Sequence, residues 1–215
     1  MRRIDHPLEH QGLGRQTEVT SLHFGPSGAG RKAYVQASLH AEELPGMLAA
    51  WHLRALLEAA EIQGLLRGEV VLVPVANPIG LAQRVDHKAM GRFELGSSEN
   101  FNRNYPELAS AVFDAVKGCL THDADANVAA VRGAVAAHLA QWKPANALHS
   151  LRKTLVLLAH DADIVLDLHC DCEAVLHLYT ENPCWPQLEP LARLLGARAV
   201  LLAQHAGGVS FDECF

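Results

Sequence analysis

Two short apolar runs constrain the fold more than any other feature. Glu69–Ala76 (EVVLVPVA) is hydrophobic almost throughout, and Ile164–His169 (IVLDLH) repeats the pattern on a smaller scale. A strand with one wet face alternates polar and apolar residues, whereas a strand apolar on both faces must be covered on both. Neighbouring segments can supply the covers. Leu44–Gln63 carries Leu48, Trp51, Leu53, Leu56 and Leu57 at helical spacing, with Pro45 suited to a first turn and Gly64 to a stop. Glu107–Cys119, Asn127–Trp142, Ala147–His160 and Pro186–Leu195 also read as helices. Thr17–Phe24, Ala33–Leu39, Ala174–Thr180 and Ala199–Leu202 read as further strands. Strands alternating with helices predict an α/β domain, layered α/β/α.

The 215 residues fit one domain spanning 1–215 at about 150 residues per domain. Eighteen Lys and Arg stand against 24 Asp and Glu, a net charge of −6, which argues against a nucleic-acid binder. No apolar run reaches the ~18 residues of a membrane span, and the start, Met1–Pro7, has no apolar core of a secretory signal. Five cysteines without a framework spacing fit reduced thiols in a cytoplasm, and Cys170-Asp171-Cys172 reads as packing rather than a zinc ribbon. Gly25–Gly30 precedes a strand rather than a helix, so it reads as a hairpin turn and not a phosphate loop. Ile79–Pro106 has little periodicity and reads as a long ordered loop, the kind that carries function.

Thirteen histidines are many for this length. Two stand where predicted strands end. His40 and Glu43, an H-x-x-E pair, follow Ala33–Leu39, and His169 closes Ile164–His169. Open α/β sheets bind ligands at the C-terminal ends of their strands. Together the three make a His₂Glu set, a common catalytic zinc arrangement with one position left for water, although other divalent ions suit it too. Taken alone, the H-x-x-E pair reads as a loop histidine beside a surface glutamate; the second strand end is what argues for a ligand pair. Asp167 shares a strand face with His169 and either orients that imidazole or caps a loop. Asn102 and Arg103 offer an amide and a forked guanidinium for a carboxylate. Arg92 and Arg84, upstream in the same loop, are candidates to steady an oxyanion. His52 and His138 lie within predicted helices, His160 and His205 have no partner at ligand spacing, and His177 alternates with apolar residues on a strand.

The order of these motifs resembles the zinc carboxypeptidase-like superfamily, and within it the succinylglutamate desuccinylase/aspartoacylase group. The segments that carry the resemblance are LHAEELPGM, PVANPIGL, GRFELGSSENFNRNYP and DLHCDCEAVLHLYT, from about Ala33 to the end of the chain. The resemblance implies a three-layer α/β/α fold with a mixed, mostly parallel sheet and one zinc ion. His40, Glu43 and His169 match the family's zinc ligands. Asn102 and Arg103 match its substrate-carboxylate pair. Arg92 is the best match for its oxyanion arginine, with Arg84 second. The implied reaction is hydrolysis of the amide of an N-acyl amino acid, or of a C-terminal peptide bond, with metal-activated water.

One departure matters. The family carries a general-base glutamate on a strand later than the third ligand, within a Val-Glu-Leu-Arg-like stretch, and none lies between His169 and Phe215. Glu213 sits in a loop-like SFDE setting and is not assigned that role. A missing general base costs ~10²–10⁴-fold in rate. The expectation is therefore a domain incomplete at its C-terminus, with an exposed sheet edge open to pairing, including homo-oligomerisation. Three readings follow: a zinc-dependent deacylase, an inactive zinc-binding fragment, and a zinc carboxypeptidase acting on short peptides.

Overall fold

The two apolar runs become strands of one sheet, the first in its interior and the second at one edge. A computed structural model describes residues 1–28, 30–204 and 208–214; His205 lies outside them. The elements in chain order are β1 (Arg2–Pro7), β2 (Glu18–Phe24), β3 (Lys32–Ala37), α1 (Leu44–Ile62), β4 (Glu69–Val73), α2 (Pro78–Leu81), β5 (Arg84–Val85), β6 (Lys88–Ala89), α3 (Ala109–Val116), α4 (Ala124–Gln141), α5 (Ala147–Ala159), β7 (Ile164–Leu168), β8 (His177–Glu181), α6 (Trp185–Leu195) and β9 (Ala199–Ala203), followed by a 3₁₀ turn over Asp212–Cys214.

The main sheet has the order β1-β2-β4-β3-β7. β3 pairs in parallel with β4 on one side and β7 on the other, while β1–β2 and β2–β4 are antiparallel. The sheet is mixed, as expected. β8 and β9 pair in parallel in a separate two-stranded sheet, with α6 packed on β8. Among the described residues, the outer edge of β7 has no partner strand, which agrees with the expected open edge.

Each face of the sheet has its own core. On one, Val19, Tyr34, Val71 and Val73 meet Leu151, Leu155 and Val156 of α5, Val112 and Val116 of α3 and Leu139 of α4. On the other, Leu22, Phe24, Val35, Ala37 and Leu72 meet Ala50 and Leu57 of α1. These are the three expected layers.

Three sequence expectations need correction. The segment after β2 is not a hairpin turn, because β4 inserts between β2 and β3. The glycines there serve a close crossing instead. Gly25 has φ +77°, and a Cβ on it would lie 2.3 Å from the Gly68 carbonyl oxygen. Second, α1 has the predicted length but buries only part of the expected stripe, with Leu57 buried and Leu53 packed on the core. Gly46, Ala50 and Leu57 face inward, while Leu48, Trp51 and Leu56 are exposed. Small residues bring the helix close to the sheet: a Cβ on Gly46 would lie 3.0 Å from the Leu168 carbonyl oxygen. Third, β1 went unrecognised, because a short, charged edge strand lacks a hydrophobic signature. The long loop is ordered, as expected, and contains α2, the β5–β6 hairpin and a bridge between Phe93 and Asn100.

Replacing Gly25 with alanine should destabilise the fold by about 2 kcal/mol, from the left-handed φ together with the steric conflict. Urea unfolding followed by circular dichroism measures this; an unchanged midpoint would show that the crossing relaxes freely.

Candidate metal centre

Parallel register creates the site. Ala37 of β3 lies opposite Leu168 of β7, so the two strands end side by side and their following turns leave at one edge. His40 and Glu43 follow β3, and His169 follows β7. The first turn is held from several directions. Ala76 N–H donates to the Ala37 carbonyl (2.8 Å), the buried Asn77 Nδ2 to the Leu39 carbonyl (2.8 Å), and Ala41 N–H to the Gly91 carbonyl (3.0 Å). Ser38 turns the backbone with φ +69°, unusual for a residue other than glycine.

One ligand atom from each of His40, Glu43 and His169 lies within 4.8 Å of the others. Glu43 is at the N-cap of α1, yet its carboxylate makes no cap. It turns to the histidines: Oε1 is 3.0 Å from His40 Nδ1 and Oε2 is 2.8 Å from His169 Nδ1. Cys170 N–H donates to Oε2 (2.9 Å) and Arg92 Nη2 to Oε1 (2.8 Å). The rings meet edge to face with centroids 4.9 Å apart.

The outward nitrogens show what the cluster is suited to hold. His40 Nε2 is 2.9 Å from Asn100 Oδ1, and His169 Nε2 is 2.9 Å from Asp167 Oδ2. Each imidazole therefore has an oxygen acceptor at both nitrogens, whereas a neutral imidazole has one N–H. Both contacts are satisfied only by an imidazolium, or by an Nε2–H tautomer whose inner Nδ1 meets a cation. Acceptors behind metal-ligating histidines have this role: they fix the tautomer and direct the free lone pair to the metal. Two nitrogens, one carboxylate and a fixed tautomer fit zinc.

The electrostatics agree. Burial works against charge on His169, but Asp167 and Glu43 outweigh it and raise its pKa to about 10. Burial likewise works against the Glu43 carboxylate, but His169, His40 and the Cys170 N–H hold its pKa well below the ordinary value.

The remaining expected residues divide. Arg92 reaches the cluster, with Nε 3.4 Å from Glu42 Oε1, and its side chain is 44% exposed. Arg84 donates instead to the carbonyls of Leu81 and Gln83. Asp167 contacts His169 through Oδ2, while its Oδ1, Gln36 Nε2 and the Tyr105 hydroxyl are buried without a partner. Asn102 is buried, and its Oδ1 accepts from Phe211 N–H (2.8 Å). Its backbone N–H donates to Asn100 Oδ1 (2.8 Å), the same oxygen that faces His40. Arg103 Nη1 donates to the Asn102 carbonyl (2.6 Å). His177 contacts the Val175 carbonyl and Asp171. Asn100 was missed by sequence reasoning, although it stands two residues before Asn102 in the quoted motif. Gly91, also missed, has no room for a side chain: a Cβ there would lie 2.4 Å from both Glu42 N and Glu42 Oε2.

Comparison with known proteins gives this geometry a family context. The fold matches a succinylglutamate desuccinylase/aspartoacylase family protein from Shewanella amazonensis SB2B with TM-score 0.85 and 28% identity, over 100% of this chain and 57% of that one. It matches a succinylglutamate desuccinylase/aspartoacylase from Shewanella frigidimarina NCIMB 400 with TM-score 0.81 and 25% identity, over 99% of this chain and 56% of that one. A metallopeptidase from Shewanella amazonensis SB2B shares the fold at TM-score 0.55 and 18% identity, over 98% of this chain and 73% of that one. No curated protein matches the sequence. The fold is thus the α/β fold of these structures. Within it, residues 29–123 match the succinylglutamate desuccinylase/aspartoacylase catalytic domain, which bears out the family resemblance of the motifs. His40, Glu43, Arg92, Asn102 and Arg103 lie inside the matched segment, and His169 outside it. The chain spans 57% and 56% of the length of the first two of these structures.

Two expectations follow. In the metal-free chain, the raised His169 pKa stabilises fully below the ordinary imidazole value, and this is lost as pH rises through about 10. The lowered Glu43 pKa stabilises above the ordinary carboxylate value and is lost as pH falls. Zinc must displace the His169 proton, so zinc uptake at pH 7.5 should release a proton and weaken as pH falls. Calorimetry in two buffers of different ionisation enthalpy tests this; uptake without proton release would contradict it. Gly91→Ala should lift the loop from Glu42 and weaken zinc binding by about tenfold or more, read by competition with a chromophoric chelator.

Proposed function

We propose that the chain carries the zinc site of a metal-dependent hydrolase that cleaves the amide of an N-acyl amino acid. The observation that carries this reading is the His40–Glu43–His169 cluster with an acceptor behind each imidazole. Bound by these three residues, zinc would supply a Lewis acid for the amide carbonyl and an activated water. Asn100 and Asp167 hold the two imidazoles as Nε2–H donors, so both Nδ1 lone pairs face inward. Arg92, half exposed beside Glu43, is positioned to donate to the oxyanion that develops on the carbonyl. Asn102 and Arg103 are assigned to the carboxylate of the amino acid. The five free cysteines fit a reducing cytoplasm.

A second reading is favoured by one observation. Glu42 and Asp167, two carboxylates that neighbour these residues in the chain, are already engaged with Arg92 and His169. In that reading the chain binds zinc without turnover, for want of a general base.

Elemental mass spectrometry should find about one zinc per chain, lost in His40→Ala. Incubation with a panel of N-acyl amino acids and short peptides then separates the readings. Release of free amino acid from the acyl compounds supports the deacylase, and release from peptides alone indicates a carboxypeptidase. Zinc without any turnover indicates the inactive form, and a zinc-free wild type overturns the metal site.

A further inference from the structure

Among the described residues, the largest fully buried side chain is a charged one. Arg152 projects from α5, 1% exposed, on the helix whose Leu151, Leu155 and Val156 build the core. It touches none of the three candidate ligands. Its guanidinium reaches the loop in front of them: Nη1 donates to Glu99 Oε2 (2.9 Å) and Nη2 to the Asn100 carbonyl (3.2 Å), with the Tyr105 ring 5.9 Å away. Its Nε is buried without a partner.

We propose that Arg152 is a positioning residue for His40, acting through Asn100; the proposal rests on the zinc reading given above. Burying a guanidinium against one partly exposed carboxylate is a poor source of stability. What the arrangement does supply is geometry. The fork fixes two successive residues: Glu99 through its side chain, Asn100 through its backbone. Glu99 is braced further by Asn104 Nδ2 (3.1 Å). With its carbonyl anchored, Asn100 keeps Oδ1 directed at His40 Nε2 (2.9 Å). The same short stretch returns to the cluster through Phe101 N–H, which donates to the Arg92 carbonyl (3.0 Å). A lysine in place of Arg152 would keep the charge but lose the fork.

The test compares wild type, Arg152→Lys, Asn100→Ala and the double variant, with Glu99→Gln as a second means of breaking the clamp should Arg152→Lys not fold. Zinc affinity is read by chelator competition, and the ¹⁵N resonances of His40 are read in metal-free protein. Arg152→Lys should weaken zinc binding by about tenfold and remove the Nε2–H signature of His40. Because it acts through Asn100, the double variant should bind no more weakly than Asn100→Ala alone. Additive losses, or wild-type affinity in Arg152→Lys, would overturn the proposal. If Arg152→Lys does not fold, Glu99→Gln takes its place in the same cycle with the same two criteria. If wild type takes up no zinc, the zinc reading fails by itself, and the His40 resonances decide the role of Arg152 alone.

Discussion

A buried anion organises this molecule. The Glu43 carboxylate is 6% exposed and receives two imidazoles, a backbone N–H and a guanidinium. Those donors come from the turn after β3, the loop after β7 and the long loop. A carboxylate in such a place is costly unless each lone pair has a partner, so the three segments are bound to one arrangement. The need is reciprocal. Each histidine has an oxygen on its far side, so the group asks for positive charge at its centre. A zinc ion meets that demand with less mutual repulsion than two imidazoliums whose ring centroids lie 4.9 Å apart.

The long loop joins this centre to the protein's interior. On its outer side Gly91 and Arg92 lie against Glu42 and Glu43. On its inner side Phe101 and Tyr105 are buried beside α5, and Phe211 packs on Tyr105 with ring centroids 5.5 Å apart. The segment 208–211 is drawn in by backbone bonds from Asn104 and Tyr105 and by the Asn102 amide. Residues distant in sequence thus converge on Asn102, and its side-chain oxygen is committed to that junction.

Much of this was legible in the sequence, for identifiable reasons. β4 and β7 announced themselves because a strand covered on both faces needs apolar residues throughout, and the helices because their periods run long enough to read. The His40, Glu43 and His169 cluster was legible because these residues stand at strand ends, where the fold class places ligands. Strand order was not: local sequence gives no sign that β4 slips between β2 and β3, so Gly25 looked like a turn residue. Part of the inner face of α1 was hidden because Gly46 and Ala50 bury little apolar area, while Leu48, Trp51 and Leu56 on the same helix stay outside. Asn100 and Arg152 were missed because a loop asparagine and a helical arginine read as solvent-facing until the packing around them is known.

The Ala37–Leu168 register has a consequence beyond the site itself. Five consecutive backbone pairings, from Ala33 with Ile164 onward, fix where His169 emerges relative to His40. Between those strands the chain winds through five helices, β4 and a hairpin. A single-residue slip of β7 turns Asp167 to the opposite face. The spacing of His40 and His169 thus depends on one short ladder, to which the loop contacts add the orientation of each side chain.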